Sequence, residues 1–290
     1  MSNDVSEKLC PRRRRCQESN SRGGRTRGGD YAFNDGVKVA LHHRVLGRPG
    51  RPTVVVGGSV GSTLATWEPQ LAALSAEFQV IAYDHRGHGG SPAPPGPYSI
   101  DDLALDVVAL LDDYGVARAH VVGLSLGGMV AQLIAARQPQ RVDRLVLLCT
   151  AAHYPDPASW TERAATVRAD GTDAIAYAVV ERWLTADYRR DQPTEVARLR
   201  EMVVSIDDEG YAACCDAIAD MDLRPDLSRI HAPTLVIAGA EDPAVPPERM
   251  RELADEIAGS RFVIVPGAHV PPLEHPAIVT DLLLEHFAAE

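Results

Sequence analysis

Short apolar runs and amphipathic stretches alternate along most of this chain. Thr53–Val56, Gln79–Tyr83, the run opening at Val121, Val142–Cys149, Thr234–Ala238 and Arg261–Val265 are rich in Val, Ile and Leu and bounded by Gly, Pro or Asp. Runs that short and that continuous predict strands buried on both faces. Between them the spacing turns helical: near Trp67–Leu74, along Leu103, Val107, Leu110 and Leu111, from Ser125 to about Gln138, and over Ala277–Phe287. Ser99 is placed to cap the second of these helices, and Gly115 to end it. Strand–helix alternation of this kind predicts a mostly parallel sheet with helices on both faces. Ahead of it, Val37, Val39, Leu41, His43 and Val45 alternate beside Asn34-Asp35-Gly36, which predicts a β-hairpin over Tyr31–Val45.

The rhythm breaks between residues 151 and 230. That stretch has no good strand pattern, only helical spacing around Trp160–Arg168, Ala174–Leu184, Glu195–Val204 and Gly210–Ala219. About 80 helical residues inserted into an α/β sheet predict a cap over an active site; a second independent domain is the alternative, against which stand the modest size and the lack of linker composition. The expected organisation is therefore a core over 31–150 and 231–290, interrupted by a cap over 151–230.

Residues 1–30 differ from the rest. They hold eight Lys or Arg against four acids and almost no apolar side chains, so they are expected to be a disordered basic extension. The remainder carries 21 basic and 36 acidic residues, a balance that excludes nucleic acid as an expected partner. The basic segment lacks the apolar centre of a secretory signal, and no run of about 18 apolar residues marks a membrane span. Five cysteines at irregular spacing, with Cys214 and Cys215 adjacent, read as reduced side chains. A cytoplasmic protein is expected, and no Cys/His cluster has metal-ligand spacing.

The chemistry begins at Gly123-Leu124-Ser125-Leu126-Gly127. A G-x-S-x-G sequence between a strand and a helix predicts a nucleophile elbow, a strained turn that presents one serine hydroxyl. Side chains at 123 or 127 are expected to collide with neighbouring backbone. Serine needs a base and an acid, and in such folds these follow in the order acid, then histidine. After the strand Thr234–Ala238 comes Asp242, the expected acid, with Glu241 adjacent as its alternative. After Arg261–Val265 comes His269, the expected base. The oxyanion donors are expected at the N–H of Leu126 and, in the loop after Thr53–Val56, at Ser59 or a residue either side of it.

Residues 31–290 resemble an α/β-hydrolase, and within that superfamily the 3-oxoadipate enol-lactonases. The likeness is carried by Ser59-Val60-Gly61-Ser62 with Trp67 downstream, Asp84-His85-Arg86-Gly87-His88-Gly89 and the Pro94–Ser99 stretch. The elbow, Trp160 and Arg163 at the cap entry, and Tyr211-Ala212-Ala213 leading to Asp220–Arg224 extend it. Gly57-Gly58 stands where many such hydrolases carry His-Gly. The resemblance implies hydrolysis of a small enol lactone to 3-oxoadipate in aromatic-compound degradation, through an acyl-enzyme on Ser125 and with no metal or cofactor. Such a lactone bears a carboxylate, for which Arg163 or Arg182 is a candidate partner, with Trp160 packing on the ring. Their other reading is solvated helix faces and cap core. A carboxylesterase for small acyclic esters shares the whole triad, as do bromination and carbon–carbon hydrolysis, while a ligand-binding protein on the same scaffold uses none of it. Oligomeric state is not legible.

Overall fold

The computed structural model describes residues 36–289; the expected basic extension and the Asn34-Asp35 part of the expected hairpin turn lie outside the described residues. In chain order the elements are β1 (His43–Leu46), β2 (Thr53–Gly57), α1 (Glu68–Glu77), β3 (Gln79–Tyr83), α2 (Ile100–Asp113), β4 (Ala119–Leu124), α3 (Leu126–Arg137) and β5 (Val142–Leu148). There follow α4 (Ala158–Asp170), α5 (Asp173–Trp183), α6 (Ala186–Asp191), α7 (Pro193–Val204) and α8 (Asp208–Asp220). The chain closes with β6 (Thr234–Gly239), α9 (Pro247–Asp255), β7 (Arg261–Val265), α10 (Pro271–Glu274) and α11 (Pro276–Ala288).

The strands form one sheet in the order β1-β3-β2-β4-β5-β6-β7. Every pairing is parallel except β1 with β3. β2, β4 and β6 are buried along their whole length, as expected for central parallel strands. Their alternating side chains feed two cores. Val55, Val121, Leu145 and Val236 pack on one face with α2, α3 and α9, and Val54, Val122, Val146 and Leu235 on the other with α1 and α11. Ser99 caps α2 through a reciprocal pair with Asp102. This is the mostly parallel sheet with helices on both faces that the alternation of runs predicts.

The expected hairpin is a correction. Residues 36–42 form no strand, and β1 pairs with β3, far along the chain. The backbone donors of the alternating stretch are taken by side chains instead: Val39 N–H donates to Asp106 Oδ1 at 2.7 Å and His42 N–H to Ser91 Oγ at 2.8 Å. Val39 and Leu41 are still buried, which accounts for the alternation without a strand.

Between β5 and β6 the described residues are helical, with one short addition to the expected set, α6. α4 packs along α8, and α5 along α7. The two ends of the segment are tied together: His153 and Asp222 form an isolated antiparallel bridge, and Leu223 N–H donates to Ala152 O at 2.7 Å. No helix among the described residues is long and apolar enough to cross a membrane.

Candidate active site

β4 runs into α3 through a single residue, Ser125, with φ 55° and ψ −114°. A non-glycine residue held there is strained, and the surrounding hydrogen bonds hold it. Ser125 N–H donates to Leu148 O at 2.9 Å. Its carbonyl accepts from Thr150 Oγ1 at 2.7 Å and from Met129 N–H at 3.1 Å. The glycines on either side are required by contact. A Cβ on Gly123 would lie 2.1 Å from Gly127 O, and one on Gly127 would lie 2.4 Å from Gly57 O. The turn thus packs backbone on backbone against the end of β2, and Ser125 faces a cavity.

Asp242 and His269 lie on the loops that follow β6 and β7. His269 Nδ1–H donates to Asp242 Oδ2 at 2.8 Å, and both side chains are buried. Because a carboxylate only accepts, the shared proton belongs to Nδ1, which leaves Nε2 as the basic nitrogen. Asp242 Oδ1 accepts the N–H groups of Ala244 and Val245 at 2.8 and 3.1 Å, which fixes the carboxylate's plane. Glu241, the sequence alternative, is exposed. Ser125 and His269 line the same cavity.

The segment after β2 forms another wall, through Ser59 and Val60. Leu126 is fully buried and opens α3, so its N–H has no acceptor within the helix. What holds the β2 segment escaped the sequence reading, although the motif that does it was in view. His85 Nε2–H donates to Gly58 O at 3.1 Å. Gly61 N–H donates to His88 Nε2 at 2.9 Å, and His88 Nδ1–H donates to Arg86 O at 3.2 Å. Burial pushes His85 from 6.5 down to about 3, with the neighbouring His88 adding to the shift. His88 falls to about 4, again chiefly through burial. Both rings are neutral at pH 7, and for His88 the N–H it accepts from Gly61 requires it. Asp84 adds a bond to Leu64 N–H at 2.6 Å, and Arg86 forks onto buried Asp106. The Asp84–Gly89 motif is therefore the frame beneath the Ser59 loop.

The cavity encloses about 260 Å³. Trp160 and Arg163 reach it from α4, Arg182 and Trp183 from α5, and Tyr211 from α8. The Arg163 guanidinium lies 4.5 Å from the centre of the Trp160 ring. Neither Arg163 nor Arg182 pairs with a carboxylate among the described residues. Partial burial, and next the charge of Arg163, lower the pKa of Arg182. The buried Tyr211 hydroxyl lies beside Arg163. Two arginines, half-buried Arg163 and exposed Arg182, and an aromatic surface thus border the cavity that Ser125 lines.

Among the described residues, Cys149, Asp242 and His269 also bring metal-capable atoms within 4.8 Å of one another. Their chemistry does not fit a metal site. Burial keeps the Cys149 thiol protonated by raising its pKa well above the ordinary value, and Asp242 and His269 are engaged with each other. Cys149 itself stands at φ 43° beside the acid loop, a placement no sequence signal marks.

Comparisons with known proteins agree with this geometry. The model of the alpha/beta hydrolase fold matches residues 49–276. 3-Oxoadipate enol-lactonase 2 of Acinetobacter baylyi is 38% identical over 238 residues, 82% of this chain and 89% of its own. A putative carbamate hydrolase RutD of Stutzerimonas stutzeri is 30% identical over 262 residues, 86% of this chain and 97% of its own. The crystal structure of the enol-lactonase from Burkholderia xenovorans LB400 superposes with a TM-score of 0.85 at 42% identity, covering 87% of this chain and 97% of that one. With its sheet order, its elbow and these relatives, the chain belongs to the α/β-hydrolase family.

Proposed function

We propose that this α/β-hydrolase is a carboxylic ester hydrolase that opens a small anionic lactone, with 3-oxoadipate enol-lactone as its substrate. One observation carries the reading: Ser125 and His269 share a small cavity with Arg163 and Arg182, two cations that lack carboxylate partners among the described residues. A lactone carboxylate supplies the missing charge, and Trp160 offers a flat apolar surface to the ring. The enol-lactonase names of similar proteins in Acinetobacter baylyi and Burkholderia xenovorans support the same substrate.

In this reading Ser125 Oγ attacks the lactone carbonyl while His269 Nε2 takes its proton. Asp242 holds the imidazole tautomer and stabilises the imidazolium. The N–H groups of Leu126 and Ser59 receive the tetrahedral oxyanion. Collapse breaks the ring C–O bond and releases a tethered enolate, which takes the proton from His269 Nε2 to give an enol that tautomerises to the ketone, and this returns His269 to its basic form. Water deprotonated by His269 then cleaves the acyl–Ser125 bond and frees a second carboxylate. No cofactor or metal enters these steps. Helices α4–α8 serve as the cap, and the buried thiols of Cys149, Cys214 and Cys215 support a cytoplasmic setting.

An esterase for acyclic esters uses the same triad and has no need of the arginines. The deciding measurement compares kcat/KM for the enol lactone with that for p-nitrophenyl acetate and butyrate, alongside fluorophosphonate labelling. The expected result is a large excess for the lactone and labelling abolished by Ser125→Ala. An excess for the simple esters ends the lactonase reading, and absence of labelling in folded protein ends the hydrolase reading.

A further inference from the structure

Glu274 is a buried carboxylate that ion-pairs with no basic side chain among the described residues. A charge in that position needs strong hydrogen bonds to offset its desolvation. It has three, and they join two distant parts of the chain. Its Oε2 accepts Ala268 N–H at 2.6 Å. Its Oε1 accepts both Thr185 N–H at 2.8 Å and Thr185 Oγ1–H at 2.7 Å. Ala268 immediately precedes His269, and Thr185 caps α6 in the helical segment. Gly267, at φ 107°, lets the carboxylate approach, since a Cβ there would lie 2.9 Å from Glu274 Oε2.

The residue on the other side of His269 is tied to the same place: Val270 N–H donates to Trp183 O at 3.1 Å. Trp183 lines the cavity. Both neighbours of His269 are thus fastened to residues 183–185, one directly and one through Glu274. Both Glu274 oxygens must accept, which an ionised carboxylate does and an amide does not, because a glutamine would turn an NH2 group against one of the donors.

We propose that Glu274 is a positioning residue for His269, one that locks the loop of the base to the Trp183–Thr185 wall of the cavity so that base and substrate seat keep one register. This rests on the reading of His269 as the general base.

The test uses Glu274→Gln and Thr185→Val in the full chain, with p-nitrophenyl acetate as substrate and the downfield proton resonance of His269 Nδ1–H as a direct reporter. Glu274→Gln is expected to lower kcat by about tenfold to a hundredfold, the scale of small misplacements, with KM nearly unchanged and the His269 resonance shifted. Thr185→Val, which removes only the hydroxyl donor, is expected to lower kcat by a few-fold and to act non-additively with Glu274→Gln. A kcat within twofold of the parent in folded Glu274→Gln, or an unmoved His269 resonance, overturns the proposal. If Glu274→Gln does not fold, Thr185→Val decides: an unchanged kcat and resonance overturn it. His269→Ala separates the two failures. Full activity in that variant sinks the base assignment itself, whereas an inactive His269→Ala beside an unaffected Glu274→Gln sinks only the role of Glu274.

Discussion

Arg163 shows how one residue's meaning depends on what faces it. In the sequence it is a basic side chain on a helical stretch, as ready to be solvated as to bind. In the fold its guanidinium lies against the Trp160 ring at 4.5 Å and borders the Ser125 cavity without a carboxylate partner among the described residues. The proposed function assigns it to binding of an anionic substrate. Arg163→Ala is expected to raise KM for the carboxylate-bearing lactone by about tenfold or more, the value of one charge-assisted contact, and to leave p-nitrophenyl acetate kinetics nearly untouched. Steady-state kinetics on both substrates check this; equal losses on the two would assign Arg163 to structure. Asp242 is the opposite case. Its position behind a strand marked it in the sequence, and burial with two backbone donors separates it from exposed Glu241.

At the scale of elements, the strand–turn–helix of the elbow is built on close backbone contact with the end of β2. Gly127 N–H donates to Gly58 O at 2.9 Å, so nucleophile turn and Ser59 segment are positioned by the same contact. Gly127→Ala forces a Cβ to within 2.4 Å of Gly57 O. Overpacking of this kind costs about 1–3 kcal/mol, read as a lower denaturant midpoint at constant slope, and kcat is expected to fall as well because both catalytic segments shift. Unchanged stability and turnover would show that the turn has slack the contacts deny. The elbow and most strands were legible because central parallel strands read as continuous apolar runs. The expected hairpin was not, because Asp106 and Ser91 satisfy backbone donors that the alternating pattern assigned to a strand partner.

Across the whole molecule, buried neutral histidines set the response to acid. His88, lowered from 6.5 to about 4, binds fewer protons in the folded state than in the unfolded state between those values. Stability is therefore full above pH 6.5 and falls as the pH drops toward 4, by up to roughly 3 kcal/mol for this group. His85, lowered to about 3, extends the same loss to more acidic pH. Unfolding free energies measured from pH 7 to pH 4 are expected to decline, and His88→Asn to flatten that decline. An identical slope in the variant would remove His88 from the account.

The sequence by itself determined six of the seven strands and their helical cover, because buried strands and covering helices each impose a period on the apolar residues that survives without coordinates. The strand order and the pairing of β1 with β3 came from the fold. It also marked Ser125, Asp242 and His269, since their loops follow strands and their order is constrained by chain direction. Only the tertiary structure decided what surrounds them. The tie from Glu274 to Thr185 spans 89 residues and that from Gly61 to His88 spans 27. Hydrogen bonds across such separations leave no local period in the chain, so folding alone brings those partners together.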